Sequence, residues 1–533
     1  MSSRWRGKSR VRTGLKWVLA AAAVGAAQPA LAAECSDLGT LALPGGEVSA
    51  ATLVAAGTFQ QPAGPGAPPG VGAALYTGLP DFCRVQATLR PTADSDIKVE
   101  VWLPAQGWNG KFVGIGNGIW AGQLSYSQLA DPLSRGYAVA TTDTGHTGNG
   151  LTAEWAIGHP EKLVDFGHRA VHEMTVTAKR TIEAFYGRAP ERSYWNSCST
   201  GGRQGLMAAH RYPEDYDAIS AMAPANPMTD LMTQSIWAGW QPQRMPGAAL
   251  SMRQLTAVHR AAVAQCDKLD GLEDGIIGRP DACRFDPVAV QCRAGEGDQC
   301  LSAPQVETMR AIYAGVPDGR GGQLLPGWPA GSEMQLAALI MGQQPFPVAY
   351  TYFSMLVFGD QPGWDWKTFD FNADAMRSRE YGSAILDVPA DGLQAFFARG
   401  GRLLLSHGWG DGLIPADNTL RFWRALGSSL SAGQASSQAR LFMAPGMDHC
   451  SGGIGASEFD TLGVLDQWAT SGTAPEMILA SRPAGAPPGP PGAPPGPARE
   501  ALSRPLCAYP AYARYDGSGD PAAAASFTCV APD

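Results

Sequence analysis

Asn196-Ser197-Cys198-Ser199-Thr200-Gly201-Gly202-Arg203 lies between an apolar run, Arg192–Ser197, and a helical run, Gln204–Arg211. A strand that turns at once into a helix, with small residues crowded round a serine, is the setting that thrusts a hydroxyl out on a tight turn. The usual spelling of that turn is G-x-S-x-G. Here Ser197 holds the first glycine's place, so the context is met and the letter is not. Ser/Gly-rich turns also serve as ordinary loops, so Ser199 has to be judged by its partners and by the elements around it.

Working outward, Arg84–Leu89 and Ile97–Leu103 read as an antiparallel hairpin, and Lys111–Ile115 and Tyr137–Thr142 as short buried strands. Asp165–Tyr186 carries Val171, Met174, Ala178, Ile182 and Phe185 at helical spacing and stops at Gly187. Ala218–Ala223 reads as a further strand. This alternation of strand and helix implies an α/β fold with a mostly parallel sheet. It lapses from Pro227 to Asp387, a stretch rich in Trp, Phe, Pro-Gly turns and cysteine, which reads as a large inserted lid domain. It resumes with a helix at Leu393–Arg399, a strand at Arg402–Ser406, a helix at Thr419–Leu426 and a strand at Ala439–Ala444. A helix over Glu458–Ala469, capped by Ser457, and a strand at Met477–Ala480 complete it. The expected division is 33–226 for the first part of the α/β domain, 227–387 for the lid and 388–533 for the second part. Pro62–Pro69 and Pro483–Pro497 read as extended Pro/Gly loops.

The N-terminus reads as an export signal. Arg4, Arg6, Lys8, Arg10, Arg12 and Lys16 precede the apolar run Trp17–Ala27, and Ala30-Leu31-Ala32 offers a cleavage site after Ala32. The remaining chain holds no run of 18 apolar residues, so no membrane association is expected after cleavage, and the destination is the periplasm or the medium. Ten cysteines, an even number with no C-x-x-C pair, suit disulfides better than a metal cluster. A net charge of −8 with no basic stripe argues against a nucleic-acid partner.

Of the eight histidines, His146, His159 and His407 lie near turns, but His449 stands out. It sits in Pro445-Gly446-Met447-Asp448-His449-Cys450 after a late strand, and like Ser199 it adjoins a cysteine. A Cys198–Cys450 bridge would bring the two Cα atoms within about 4.4–6.8 Å and make serine and histidine neighbours. The acid of such a set falls between them in chain order. Asp411, in His407-Gly408-Trp409-Gly410-Asp411 after the Arg402–Ser406 strand, is preferred to Asp448, which adjoins His449 itself. The set Ser199, Asp411 and His449 is that of an α/β-hydrolase, with the oxyanion held by the N–H of Thr200 and a second donor in Gly116-Asn117-Gly118-Ile119, taken to be Gly118. Separately, Cys266-Asp267-Lys268-Leu269-Asp270-Gly271-Leu272-Glu273-Asp274-Gly275-Ile276 is either a solvated acidic turn or a calcium loop of non-EF-hand spacing.

Cys198-Ser199, Asp411 and His449-Cys450 together resemble the tannase/feruloyl esterase family, whose hallmark is a disulfide joining the neighbours of serine and histidine. The resemblance spans Cys35 to Cys529 and implies a serine carboxylic ester hydrolase of the α/β-hydrolase fold. Its substrates would be small aromatic esters of the feruloyl, hydroxycinnamoyl or galloyl type. It also implies a structural Ca²⁺ held by Asp267, Asp270 and Asp274 with the carbonyls of Leu272 and Ile276, and the further pairs Cys35–Cys83, Cys266–Cys283, Cys292–Cys300 and Cys507–Cys529. The lid supplies Tyr350, Tyr352, Phe353, Phe358, Trp364 and Trp366 for a flat acyl group. Ser354 falls where relatives that cleave terephthalate monoesters carry an arginine, so Ser354 and Phe358 are the expected substrate contacts. The alternatives are a hydrolase of terephthalate monoesters or other aromatic diacid esters, a secreted peptidase of the same fold, and a non-catalytic, calcium-stabilised binder of phenolics. The sequence leaves the oligomeric state open.

Overall fold

A computed structural model describes residues 34–64, 72–293, 297, 299–485 and 498–532. The expected export signal and the centre of the second Pro-rich loop lie outside these residues.

Nine strands form the main sheet: β1 Gly46–Val54, β2 Phe82–Leu89, β3 Ile97–Pro104, β4 Lys111–Ile115, β5 Ala138–Thr142, β6 Arg192–Cys198, β7 Ala218–Met222, β8 Arg402–Gly408 and β9 Ala439–Ala444. Their order is β1-β2-β3-β5-β4-β6-β7-β8-β9. The first four in that order pair antiparallel and the rest parallel. In β8, Leu405 faces Ala221 on one side and Leu441 on the other.

Alternate side chains of these strands feed two cores, as the two-residue period of a strand dictates. Leu403 and Leu405 pack with Val171, Met174, Leu206 and Leu420 from helices Ala170–Tyr186, Thr200–Arg211 and Ala416–Ser429. Leu404 and Val113 pack on the opposite face with Leu129, Leu133, Leu465 and Trp468 from helices Tyr126–Ser134 and Thr461–Ser471. A sheet covered on both faces by helices is the α/β-hydrolase arrangement expected from the sequence. The parallel strands end together, so the loops that follow β4, β6, β8 and β9 meet at one rim.

Several expectations shift in detail. The helix expected from Asp165 begins with a π-helical turn, Asp165–Arg169, before Ala170–Tyr186, and it does end at Gly187 in the left-handed region. The helix expected from Glu458 starts at Thr461 and is capped by Asp460, not Ser457. Glu458 instead exchanges backbone hydrogen bonds with Ser481, which holds the chain extended there. Strand Met477–Arg482 pairs with Leu502–Cys507 in a separate two-stranded sheet.

The segment between β7 and β8 is mainly helical, with Met228–Trp240, Met252–Cys266, Ala303–Ala314, Glu333–Ile340 and Ala373–Leu386 as its longer members. Its two ends are fastened to each other. Asn226 Nδ2 donates to the Val388 carbonyl at 3.0 Å, and the Val388 N–H returns to Asn226 Oδ1 at 2.8 Å. Beside them Asp387 accepts from the Thr229 hydroxyl and N–H.

Candidate active site

Ser199 ends β6 with φ 64° and ψ −126°, outside the regions an L-residue prefers, and hands the chain directly to helix Thr200–Arg211. The turn closes because Gly201 and Gly202 lack side chains: a Cβ at Gly201 would strike Ser197 Oγ, and one at Gly202 the Met222 carbonyl. Ser197 is thereby accommodated in place of glycine, and its hydroxyl accepts from the Gly116 N–H at 3.3 Å. Thr200 opens the helix, so its N–H has no carbonyl one turn earlier to meet.

The Cys198–Cys450 disulfide, with Cα atoms 5.9 Å apart, joins the end of β6 to the loop after β9. The four other pairs implied by the resemblance are also formed: Cys35–Cys83, Cys266–Cys283, Cys292–Cys300 and Cys507–Cys529. His449, one residue before Cys450, donates from Nδ1 to Asp411 Oδ2 at 2.7 Å. Asp411 is fully buried, and its Oδ1 accepts from the N–H groups of Leu413 and Ile414 at 2.9 Å each. Burial alone would raise this carboxyl, but the imidazoles of His449 and His407 hold it well below the ordinary carboxylate range. Asp448, the rival acid, has no hydrogen bond to His449; burial, reinforced by the charge of Asp411, pushes its carboxyl up to about 6.

Two contributions were not foreseen from the sequence: the place of His407, weighed there only as a possible base, and Gln335. His407 is entirely buried with Nε2 3.1 Å from Asp411 Oδ2 and Nδ1 2.8 Å from Thr419 Oγ1, so Asp411 lies between two imidazoles. Gln335, from the inserted segment, accepts through one oxygen from the N–H of Gly412 at 2.7 Å and of His449 at 3.1 Å. It ties the acid loop to the histidine loop. The spacing of His407 four residues before Asp411 was a visible signal; nothing in the sequence pointed to Gln335.

Ser199, Thr200 and His449 share the wall of one pocket with Ile119, Ala225, Met228, Leu231, Met232, Ser235, Phe346, Val348, Leu413 and Ile414. Gly118 does not line it. Its neighbour Ile119 does, at φ 45°, and the Ile119 carbonyl accepts from the Thr200 hydroxyl at 3.0 Å. Ser354 and Phe358 are not in this wall either. Phe358 is buried in the aromatic core of the inserted segment, stacked on Trp364 with ring centres 5.1 Å apart, and Tyr352 and Phe353 are wholly buried in the same cluster. The other sequence candidates for the base serve elsewhere: His146 stacks on Trp155 and meets the Trp120 carbonyl, and His159 pairs with Asp94.

In the acidic loop, Asp267 and Asp270 are buried. Burial raises both carboxyls, with repulsion from Asp274 adding to each, and Asp270 is pushed up to about 6. Carboxylates and backbone carbonyls, the donor types this loop offers in Asp267, Asp270, Asp274, Leu272 and Ile276, are those a hard divalent ion takes. As the side chains stand, Asp267 accepts from the N–H of Asp274 and Gly275, and Asp274 gives Oδ2 to Arg504 at 2.6 Å. Among the described residues, no three His, Cys, Asp or Glu side chains converge as metal ligands.

Residues 83–530 match the profile of the family described as tannase and feruloyl esterase. The chain is 33% identical to an uncharacterized esterase of Xanthomonas campestris pv. campestris, across 93% of this chain and 91% of that one. It is 32% identical to a probable feruloyl esterase B-2 of Aspergillus flavus, across 75% and 80%. The crystal structure of feruloyl esterase B from Aspergillus oryzae superposes with a TM-score of 0.83 at 26% identity, covering 93% of this chain and 99% of that one.

Proposed function

Since this chain belongs to the tannase and feruloyl esterase family and is a carboxylic ester hydrolase, we propose that Ser199 is its nucleophile, His449 its general base and Asp411 the acid that orients the base. The observation that carries this reading is the 2.7 Å contact of His449 with buried Asp411 on a loop bridged to the serine turn through Cys198–Cys450.

Ser199 Oγ attacks the ester carbonyl while His449 Nε2 takes its proton. The Thr200 N–H at the helix start, with a second N–H from the loop after β4, holds the oxyanion. His449 then protonates the leaving alcohol, and water, deprotonated by the same nitrogen, releases the acid from the acyl-serine. Asp411 keeps Nδ1 protonated so that Nε2 faces the substrate. The buried carboxylate also stabilises the imidazolium as it forms. The substrates are aromatic esters of the feruloyl or galloyl type. Calcium, held by Asp267, Asp270, Asp274 and the Leu272 and Ile276 carbonyls, would brace the inserted segment without touching the substrate pocket. Support for it is the donor set of the loop; the present side-chain directions require rearrangement to bind it. Export of the mature chain is supported by five disulfides, which persist in oxidising compartments. No helix among the described residues is long and apolar enough to cross a membrane.

Purified protein and Ser199→Ala are assayed on methyl ferulate, methyl gallate and mono(2-hydroxyethyl) terephthalate, with intact-mass measurement of trapped acyl-enzyme. Turnover that disappears with Ser199→Ala, and an acyl adduct on the parent alone, are expected. Undiminished turnover by Ser199→Ala would refute the assignment.

A further inference from the structure

The wall of the reaction pocket is almost wholly apolar. Apart from the reacting groups and Thr200, whose hydroxyl is spent on the Ile119 carbonyl, its one polar side chain is Ser235. Ser235 is buried on helix Met228–Trp240, on the same face as Met228, Leu231 and Met232 at helical spacing. That helix starts beside the serine turn, because the Ala225 N–H donates to the Ser199 carbonyl at 3.1 Å. Ser235 lies seven residues beyond Met228, about 10 Å along the helix axis and away from the turn. Its proton goes to the Leu231 carbonyl at 3.0 Å, and among the described residues no N–H or O–H donates to its Oγ. The oxygen is left as an acceptor in an otherwise apolar wall.

We infer that Ser235 is a specificity-determining residue that accepts a hydrogen bond from a single phenolic hydroxyl, and that the pocket selects hydroxycinnamoyl over galloyl and terephthaloyl esters. The inference rests on the ester-hydrolase reading of Ser199 and deepens it. A hydroxycinnamoyl group carries its phenol on the far side of a ring that is itself set off by two vinyl carbons, which suits an acceptor placed two helical turns beyond Met228. A galloyl ring is attached directly to the carbonyl and brings three hydroxyls to a wall with one acceptor, which leaves buried donors unpaired. A terephthaloyl group brings a carboxylate, and the wall holds no Lys or Arg to receive it.

The test compares methyl ferulate with methyl 3-methoxycinnamate, which lacks only the hydroxyl, on the parent and on Ser235→Ala. Ser235→Ala is expected to lower kcat/KM about tenfold more for the ferulate than for the methoxycinnamate, the size of one ordinary hydrogen bond, with an unchanged circular dichroism spectrum certifying the fold. An equal effect on both esters, or none on either, overturns the role of Ser235. Faster cleavage of methyl gallate or mono(2-hydroxyethyl) terephthalate than of methyl ferulate overturns the selectivity. Calorimetric binding of the two methyl esters to Ser199→Ala, with and without Ser235→Ala, gives a readout independent of turnover. If no ester is cleaved, the catalytic reading fails, and the same ferulate-over-methoxycinnamate preference in binding still decides for or against Ser235.

Discussion

Replacing both cysteines of the Cys198–Cys450 bridge by alanine separates what the crosslink does for the fold from what it does for the reaction. The bridge spans 252 residues. The chain-entropy relation puts its effect at about 5 kcal/mol for a loop of that size. The Cys266–Cys283 and Cys292–Cys300 bridges lie inside the loop and shorten it by only about a tenth, a change the logarithm in that relation hardly registers. At about 2.1 cal/mol/K of unfolding entropy per residue, 5 kcal/mol in a chain of this length lowers the melting temperature by about 5 °C. The rate should fall further than stability alone implies. Without the bridge, Ser199 and His449 are held together only by the separate packing of β6 and β9, which are not neighbours in the sheet. An error of about 1 Å in such a pair costs roughly a hundredfold. Calorimetric melting and initial rates on a cleavable methyl ester, measured well below the melt, give both numbers. A double variant that melts within 1 °C of the parent and keeps its kcat would refute the reasoning.

Asp411→Asn should lower kcat by about 10⁴ with little change in KM, because the amide cannot stabilise the imidazolium or enforce its tautomer; steady-state kinetics checks the split. His407→Gln removes one of the two imidazoles beside Asp411, so the loss of activity on the acid side should move to higher pH, seen in the kcat/KM profile. Asp411 is held below its unfolded value, near 3.9, so the stability it contributes is complete above that pH and is lost as pH falls below it. Acid unfolding followed by circular dichroism should therefore set in at higher pH in Asp411→Asn, whose stability lacks that term. If calcium occupies the acidic loop, chelation should lower the melting temperature, leave kcat unchanged at temperatures below the melt, and have no effect on Asp270→Asn.

The elements that present Ser199, Asp411 and His449 were legible because their sequence signals are local. The β6 turn is written in small residues, and the acid and histidine loops each follow a short apolar strand within a few residues. The edge strand β1 went unread because Ser49, Ala50, Ala51 and Thr52 alternate weakly and stay half exposed. Ser457 looked like a cap because helix propensity is local, while the bridge between Glu458 and Ser481 that forbids a helix there is a tertiary fact. The substrate wall was missed for a related reason. Met228, Leu231 and Met232 recur at the spacing of any buried helix face, so the pattern reads as core, and only the fold shows that what they cover is a slot beside Ser199. The richer aromatic run around Phe358 drew attention to itself, and in the structure its rings pack on one another in the inserted segment.

The reciprocal amide pair between Asn226 and Val388 gives the inserted segment one common point of entry and exit. Seen from the sheet, some 160 residues enter and leave at one point, like a clause set in parentheses. Evolution can lengthen, shorten or exchange such a clause without rewriting the sentence, since a longer loop costs little once its ends are fixed. Relatives can thus diverge in what they admit while sharing one hydrolytic apparatus. One constraint lies at the site itself, in Gln335, whose single oxygen receives the N–H groups of both Gly412 and His449. A transplanted segment would have to bring that acceptor with it, and its absence would mark the limit of free exchange.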